Sequence, residues 1–267
     1  MTSIVVNELA TILERQALRC REVVIDTAAT EVGCHLGGSL SVVEILLATM
    51  AIADTEEGSA VVLSKGHAAA ALYAALHVRG VLSEHPAVSY GRAGSALTGH
   101  PGKDMPGVLF PTGSLGHGAA YAVGWALSRR LLARPGRTFA IVGDGELQEG
   151  LVWEALQVAA AKKVDDLTLI VDANGGQNDG YVADISPLGD LAARLRAFGA
   201  VVETVDGHSV PALLDALTTG SGLRAIVART TKAKGVSTAE GLSKSHYVRI
   251  GKQRAHQWKS ALAGVNR

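Results

Sequence analysis

Cysteine, aromatic residues and excess charge of either sign are scarce in this chain. Its 267 residues include two cysteines and 4% aromatics, and the formal net charge is zero. Two cysteines form neither a disulfide framework nor a metal-ligand motif, and a neutral chain has no broad attraction to nucleic acid or an anionic membrane. No uninterrupted run of 18 apolar residues predicts a transmembrane helix, and the amino-terminal residues do not resemble a signal peptide. We therefore expect a cytoplasmic protein that binds neither nucleic acid nor membrane.

What the chain has in quantity is small apolar residues, arranged in alternating short runs and helix-like segments. Hydrophobic residues make up 48% and charged residues 19%, which is typical of a large packed core. Breaks are expected at 33–38, after the first helix, and in a long loop over 83–107. The alternation predicts an α/β fold, a doubly wound and mostly parallel sheet with helices on both faces, in one domain over 1–267. Strands are predicted at 60–63, 139–142, 167–171, 200–205 and 224–229, and helices at 4–29, 41–53, 68–78, 116–132 and 211–218. A further helix-like segment lies between the strands at 139–142 and 167–171.

Polar residues of the kind that bind metals follow two neighbouring predicted strands. Asp144 lies in the GDG that ends the strand at 139–142, and Asn174 follows the strand at 167–171, 30 positions later. That separation is about one βαβ unit, so both residues are expected at the same edge of the sheet. Oxygen ligands of this kind, completed by phosphate oxygens, suit Mg²⁺. The flanking glycines allow a phosphate to approach the backbone closely, and the sequence predicts a Mg²⁺-diphosphate site.

Each half of this pattern also has an ordinary structural explanation. GDG is a common tight turn, and an asparagine beside glycine is usually a turn residue. Lone histidines in loops are more often hydrogen-bonded surface residues than functional ones, and none of those in this chain shows the short paired spacing of a compact zinc site. The metal-site prediction therefore depends on the two halves occurring together, at this spacing and after two strands.

GDG, a spacer of this length and a terminal asparagine resemble the thiamine diphosphate motif of thiamine-dependent enzymes. The resemblance implies a metal held by Asp144, Asn174 and the backbone carbonyl of Gly176. Related chains tend to carry bulky apolar residues at the positions of Gly176 and Asn178. A carbonyl ligand needs no side chain, so Gly176 can still serve, but the wall against the cofactor is expected to differ.

Further segments resemble transketolase over about residues 10 to 250. They are GCHLGGSLSVVEIL, SKGHAAAALYAAL, GHPG, PGVLFPTGSLGHG, GDGELQEGLVWEA and KAKGVSTAEG. SKGHA, GHP and GSLG together distinguish transketolases from α subunits of 2-oxo acid dehydrogenases. The resemblance implies a substrate channel with four catalytic histidines, in which His35 and His246 contact donor hydroxyls. His67 and His100 would steer protons near the thiazolium carbon, a role that suits imidazole because its ordinary pKa lies near the operating pH.

The resemblance also implies the residues that contact the cofactor. His117 stands where many relatives have glutamine, and Glu149 matches a carboxylate at a subunit interface. Lys65 and Lys244 are expected either to hold phosphate or to be solvated charges. The implied cofactor contacts are His67, Gly113, Ser114, Leu115, Gly116, His117, Gly143, Asp144, Gly145, Glu146 and Asn174.

In fused transketolases a pyrimidine-binding domain, which carries the activating glutamate, follows the diphosphate-binding domain. This chain ends at Arg267, soon after His246. We therefore expect the N-terminal subunit of a split transketolase, inactive alone, in an α2β2 complex with a C-terminal subunit carrying that glutamate. It would use thiamine diphosphate and Mg²⁺, or Ca²⁺ or Mn²⁺, to transfer a two-carbon ketol unit from a ketose, free or phosphorylated, to an aldehyde. Two alternatives stay open: another thiamine diphosphate enzyme subunit, either α-like of a 2-oxo acid dehydrogenase or acyloin-forming, and a non-catalytic subunit that keeps the fold.

Overall fold

The computed structural model describes residues 3–264, in which strands and helices alternate along the chain. The strands are β1 Ala60–Leu63, β2 Thr138–Gly143, β3 Leu167–Ala173, β4 Val201–Asp206 and β5 Arg224–Arg229. The helices are α1 Ser3–Ala28, α2 Leu36–Ser41, α3 Val43–Asp54, α4 Ala69–Val78, α5 His117–Leu131, α6 Gly150–Ala161, α7 Val182–Ile185, α8 Leu191–Ala197, α9 Val210–Thr218 and α10 Lys252–Gly264.

The five strands form one parallel sheet in the order β1-β2-β3-β5-β4. Strands β2 and β3, which carry the predicted metal site, are the second and third strands and are almost entirely buried. Strand β4 lies at an edge, where Val201 is 59% exposed. The α/β fold with an all-parallel sheet confirms the prediction from alternating strands and helices.

Helices cover both faces of the sheet, and alternate residues of each strand enter two separate cores. Phe139 and Ile141 of β2 pack into the core that contains α1, α3, α4 and α9. Ala140 and Val142 of the same strand pack into the core that contains α5, α6 and α8. Because both sides of the strand are covered, it is a continuous apolar run rather than an alternating one.

The predicted elements agree with the observed ones except near α2 and in three additional helices. The segment 33–38 was expected to be a break, but α2 begins inside it at Leu36. Its glycines serve close packing, since a Cβ at Gly37 would lie 2.7 Å from the Ser245 carbonyl oxygen. Helices α7, α8 and α10 were not predicted, because few of their side chains are buried. The buried ones are Val182 in α7, Leu195 in α8, and Ala255 and Leu262 in α10.

Within residues 3–264, no helix has both the length and the apolar character needed to cross a membrane.

Candidate active site

The carboxyl ends of β1, β2 and β3 meet at one edge of the sheet. In register, Leu63 of β1 lies beside Ile141 of β2, and Gly143 of β2 lies beside Asp172 of β3. The turns after these strands therefore begin next to one another, as in other parallel sheets that bind ligands at this edge. A cleft of about 310 Å³ opens there. The predicted site residues that line it are His35, His67, His100, Gly113, Leu115, Gly143, Asp144, Gly145, Asn174, Gly176 and His246.

Asp144 joins the turn after β2 to the turn after β3. Its Oδ2 accepts a hydrogen bond from the backbone N–H of Gly175 over 2.6 Å, and its Oδ1 accepts one from Gly145 over 2.9 Å. The side chain is buried. Burial, with a smaller contribution from the negative charge of Asp172, raises the pKa of Asp144 to about 6. A buried carboxylate whose charged form is disfavoured in this way gains from a nearby cation.

The side-chain amide oxygen of Asn174 faces the backbone of Gly176, two residues later in the chain. Its Oδ1 accepts a hydrogen bond from the Gly176 N–H over 3.0 Å, and its Nδ2 donates to Ser41 Oγ over 3.1 Å. The two turns thus bring a carboxylate and a side-chain amide into the same cleft, and oxygen donors of these types are the ones that hard divalent cations prefer. Among residues 3–264, no group of three or more His, Cys, Asp or Glu side chains could hold a metal ion.

Lys232 occupies the space beside Gly176 that a side chain there would need. A Cβ built on Gly176 would lie 2.7 Å from Lys232 Cδ. Lys232 Nζ donates a hydrogen bond to the Gln177 carbonyl over 2.9 Å and lies 3.5 Å from His246 Nδ1. Burial, followed by the positive charge of Lys65, lowers the pKa of Lys232 to about 8. The buried Lys232 side chain therefore fills the space next to Gly176, the position at which related chains tend to carry a bulky apolar residue.

The four predicted histidines form one cluster in the cleft. Their ring centroids lie 5.8 Å apart for His35 and His67, 5.4 Å for His35 and His100, and 5.2 Å for His35 and His246. The rings of His67 and His246 are 5.4 Å apart. Residues separated by more than 200 positions in the sequence are thus placed around a space of small-molecule size.

The ordinary imidazole pKa does not describe this cluster. Burial lowers the pKa of His35 and of His246 to about 4, and neighbouring positive charges contribute further. Burial also lowers the pKa of His67 and His100, with Lys65 adding to the effect at His67. The expectation of imidazoles titrating near operating pH is therefore corrected: the rings are neutral at pH 7. A neutral ring offers one N–H donor and one acceptor nitrogen.

The segment that precedes α5 contributes only part of its predicted residues to the cleft. Gly113 and Leu115 line it, whereas Ser114 and Gly116 do not. Gly116 has a φ of +81°, a left-handed conformation that glycine adopts without strain. His117 is exposed, and its Nδ1 lies 3.2 Å from the Leu115 carbonyl oxygen. The structure thus places His117 outside the cleft lining, although it was expected beside the cofactor.

Glu146 faces into the protein behind the cleft. Its Oε1 accepts hydrogen bonds from Ser64 Oγ over 2.5 Å and from the Gly116 N–H over 2.8 Å. Its Oε2 accepts from the Gly143 N–H over 3.1 Å. The carboxylate therefore connects the end of β1, the start of α5 and the GDG turn, and burial raises its pKa. In this arrangement Glu146 positions the loops that surround the cleft.

Several residues of the site were not identified from the sequence. Lys65 is 1% exposed and pairs with Asp172, so its interpretation as a solvated charge is wrong, whereas Lys244 is exposed. The Tyr247 ring packs edge-on against His35 at 4.9 Å, and its hydroxyl donates to the Val32 carbonyl over 2.7 Å. The adjacent His246 is the only sequence signal that points to Tyr247, and Lys232 had none beyond its place in KAKG.

Comparison with known proteins agrees with the fold and the site. The sequence profile described as the transketolase thiamine diphosphate binding domain matches residues 16–266. The chain is 34% identical over 268 residues to the 6-deoxy-6-sulfo-D-fructose transketolase subunit SqwG of Clostridium sp., covering 96% of each protein. It is 31% identical over 266 residues to an apulose-4-phosphate transketolase subunit of Phocaeicola vulgatus, covering 95% of this chain and 94% of that one.

A solved transketolase has the same fold. The structure of transketolase from Campylobacter jejuni superposes with a TM-score of 0.87 at 29% identity. The match covers 95% of this chain and 43% of the solved one, so the chain spans less than half the length of that transketolase. The matched profile covers nearly the whole sequence, and two relatives above 30% identity match end to end. The chain belongs to the family of transketolase thiamine diphosphate-binding domains.

Proposed function

We propose that this chain is the N-terminal subunit of a split transketolase. With thiamine diphosphate and Mg²⁺, it would transfer a two-carbon ketol unit from a ketose or ketose phosphate to an aldehyde. The proposal is supported by relatives of nearly the same length that are named transketolase subunits. It includes three predictions made from the sequence: a single diphosphate-binding domain over 1–267, an α2β2 complex and a cytoplasmic location.

One observation carries the proposal: oxygen donors from two turns meet in the same cleft as four neutral histidines. Asp144 and the turn after β3 are joined by a direct hydrogen bond of 2.6 Å. The histidine rings line the other side of the cleft. A hard cation site beside a group of neutral proton donors and acceptors suits a phosphorylated cofactor and a polyhydroxylated substrate.

In this proposal, Asp144 and Asn174 hold the metal through side-chain oxygens, and Gly176 contributes its backbone carbonyl. Calcium and manganese share the preference for such oxygen ligands and are alternative occupants. An ideal Cβ on Gly143 would meet no atom within 4 Å, so its backbone can be approached closely from the cleft, as a diphosphate requires. When bound, thiamine diphosphate supplies the carbanion chemistry at its thiazolium carbon, and the protein supplies binding and orientation.

The neutral histidines would act on the substrate. His35 and His246 would hold hydroxyl groups of the ketose, each with one donor and one acceptor nitrogen. His35 lines the cleft, and its Nδ1 is buried without a hydrogen-bond partner among the described residues. His67 and His100 would hold or move protons at their ring nitrogens during ketol transfer.

The proposed partner is a C-terminal transketolase subunit that carries a pyrimidine-binding domain and the activating glutamate. The subunit designations of the relatives support a two-subunit enzyme. Glu149, which lines the cleft and is exposed, is available to a residue from a second polypeptide.

A reconstitution experiment tests the function. The chain, a candidate C-terminal subunit, thiamine diphosphate and Mg²⁺ are mixed, and ketol transfer is followed with xylulose 5-phosphate and an aldehyde. Because the relatives are named for 6-deoxy-6-sulfo-D-fructose and apulose 4-phosphate, both ketoses belong in the donor panel. We expect transfer only when both subunits are present. Full activity of this chain alone would contradict the split arrangement, and turnover of pyruvate with an electron acceptor would favour a 2-oxo acid dehydrogenase subunit.

A further inference from the structure

A buried carboxylate behind the predicted metal site connects four separate segments of the chain. Asp172, at the end of β3, is fully buried. Its Oδ2 accepts hydrogen bonds from Ser41 Oγ over 2.6 Å and from Lys65 Nζ, and its Oδ1 accepts one from Thr230 Oγ1. Lys65 offsets the charge that burial would otherwise make unfavourable. Asp172 is thus a fixed, fully hydrogen-bonded acceptor.

Ser41 links Asp172 to Asn174 through two hydrogen bonds and so determines how the Asn174 amide is oriented. A serine hydroxyl has a single hydrogen. Asp172 Oδ2 receives it at 2.6 Å, whereas the Gly38 carbonyl lies at 3.2 Å and carries no charge. The remaining lone pair of Ser41 Oγ therefore faces Asn174 and can only accept. The nitrogen of the Asn174 amide lies on that side, 3.1 Å from Ser41 Oγ and 3.4 Å from Asp172 Oδ2.

The amide oxygen of Asn174 must therefore lie on the opposite side, towards the Gly176 N–H. A flipped amide would place Oδ1 against two acceptors, Ser41 Oγ and the Asp172 carboxylate, and the Gly176 N–H would face an NH₂ group. The observed orientation instead lets Oδ1 accept from Gly176 over 3.0 Å. Without Ser41 and Asp172, only the single hydrogen bond from the Gly176 N–H would favour the orientation that presents the amide oxygen to a cation.

We propose that Ser41 and Asp172 are positioning residues that set the affinity of the metal site by fixing the oxygen of Asn174 towards the cation. This inference rests on the proposed function, in which Asn174 is a metal ligand. Ser41 lies 133 positions before Asn174, on α2, and would not touch the metal or the cofactor. Partners that orient metal ligands in this way typically contribute about 10- to 100-fold to metal affinity.

Ser41→Ala tests the inference, and Ser39→Ala is its matched control. Both serines are buried on α2, but Ser39 Oγ has no hydrogen-bond partner among the described residues. The complex with the C-terminal subunit is titrated with Mn²⁺ at a fixed thiamine diphosphate concentration, and free Mn²⁺ is measured by electron paramagnetic resonance. We expect S41A to raise the Kd for Mn²⁺ by about 10- to 100-fold and S39A to leave it unchanged.

Equal Kd values for S41A, S39A and the unsubstituted complex would overturn the inference. Failure of the unsubstituted complex to bind Mn²⁺ with thiamine diphosphate would instead refute the proposed function. If S41A does not fold, Ser41→Cys replaces it, because it nearly keeps the volume and offers only a weak acceptor; a normal Kd in S41C would equally overturn the inference. Saturating Mn²⁺ should restore turnover in S41A, which a general loss of folded protein would not allow.

Discussion

The Gly175 N–H donates a hydrogen bond to Asp144 Oδ2 over 2.6 Å and so joins the turns that follow β2 and β3. This contact places the Asp144 carboxylate beside the turn that contains Asn174 and Gly176. The proposed metal site therefore depends on the two turns together. Its consequences for metal binding, pH dependence and stability can each be measured.

Asp144→Ala should abolish retention of thiamine diphosphate and Mg²⁺ by the assembled complex. Loss of an outer partner of a metal ligand costs about 10- to 100-fold in affinity, and loss of the ligand itself should exceed this. Isothermal titration calorimetry of the complex gives the Kd. Asp165→Ala, an exposed carboxylate before the amino end of β3, is the control. Unchanged cofactor affinity in D144A would refute the assignment of the metal ligand.

Metal binding should weaken as the pH falls below about 6. The pKa of Asp144 without metal is raised to about 6 by burial, and only the ionised carboxylate is a ligand. Metal affinity should therefore be nearly constant above this pH and fall about tenfold per pH unit below it. Titrations with Mn²⁺ from pH 8 to pH 5 measure the dependence. A midpoint near the ordinary aspartate value, with no change at pH 6, would contradict the prediction.

Glu146→Gln should destabilise the folded chain although it changes few atoms. Whichever way the amide is oriented, its NH₂ group faces the N–H of Gly116 or of Gly143. One buried donor loses its acceptor, which costs about 1–3 kcal/mol of unfolding free energy. Urea denaturation measures the loss. Glu149→Gln, an exposed residue with no capping hydrogen bond, should change stability little, and equal effects of the two substitutions would contradict the role of Glu146.

The histidine cluster should make the fold sensitive to acid. His246 has a pKa of about 4 in the folded chain against an ordinary value of 6.5, so the folded state binds fewer protons between these values. Its contribution to stability is complete above pH 6.5 and is lost as the pH falls through about 4. The difference in unfolding free energy between wild type and His246→Gln should therefore shift in favour of the variant over this range.

Denaturation of wild type and variant at pH 7.5, 6, 5 and 4 measures that difference. Carboxyls with a raised pKa, such as Asp144, change the stability in the opposite direction. They are present in both proteins, so their contribution cancels in the difference. A difference that does not vary with pH would show that the ring titrates alike in the folded and unfolded states.

Gly176→Ala should conflict with Lys232. The added Cβ would lie 2.7 Å from Lys232 Cδ, and Lys232 is buried. Overpacking of this kind costs about 1–3 kcal/mol. Lys232→Ala in the same chain should remove the conflict, so a double-mutant cycle in urea denaturation should show a favourable coupling. Additive effects of the two substitutions on the free energy of unfolding would show that the Lys232 side chain moves away from Ala at position 176 without a loss of stability.

The sequence predicted the framework on which the site is built. The bounds of β1 and β5 agree with those expected from their apolar runs. The 30-residue separation of Asp144 and Asn174 placed both at the carboxyl edge of neighbouring strands, where they are found. Both results depend on local chain geometry, since a buried parallel strand is a continuous apolar run and one βαβ unit has a nearly constant length.

The orientation of side chains within the site could not be predicted in this way. Glu146 was expected to contact the cofactor, yet it accepts hydrogen bonds from three other segments. His117 belongs to the same motif as Gly113, but only Gly113 lines the cleft. Neighbours along a turn can face opposite directions, and which of them faces the cleft depends on the helix and strand ends packed behind it.

By itself, the amino-acid sequence determined the parallel α/β fold and the edge of the sheet where the cleft lies, because strand periodicity and turn residues act over short stretches of chain. Only the tertiary structure decided that Lys65 is paired with Asp172, that Lys232 fills the space beside Gly176, and that the histidine rings are neutral. These properties arise from burial and from contacts between residues far apart in the sequence, and no local pattern encodes either one.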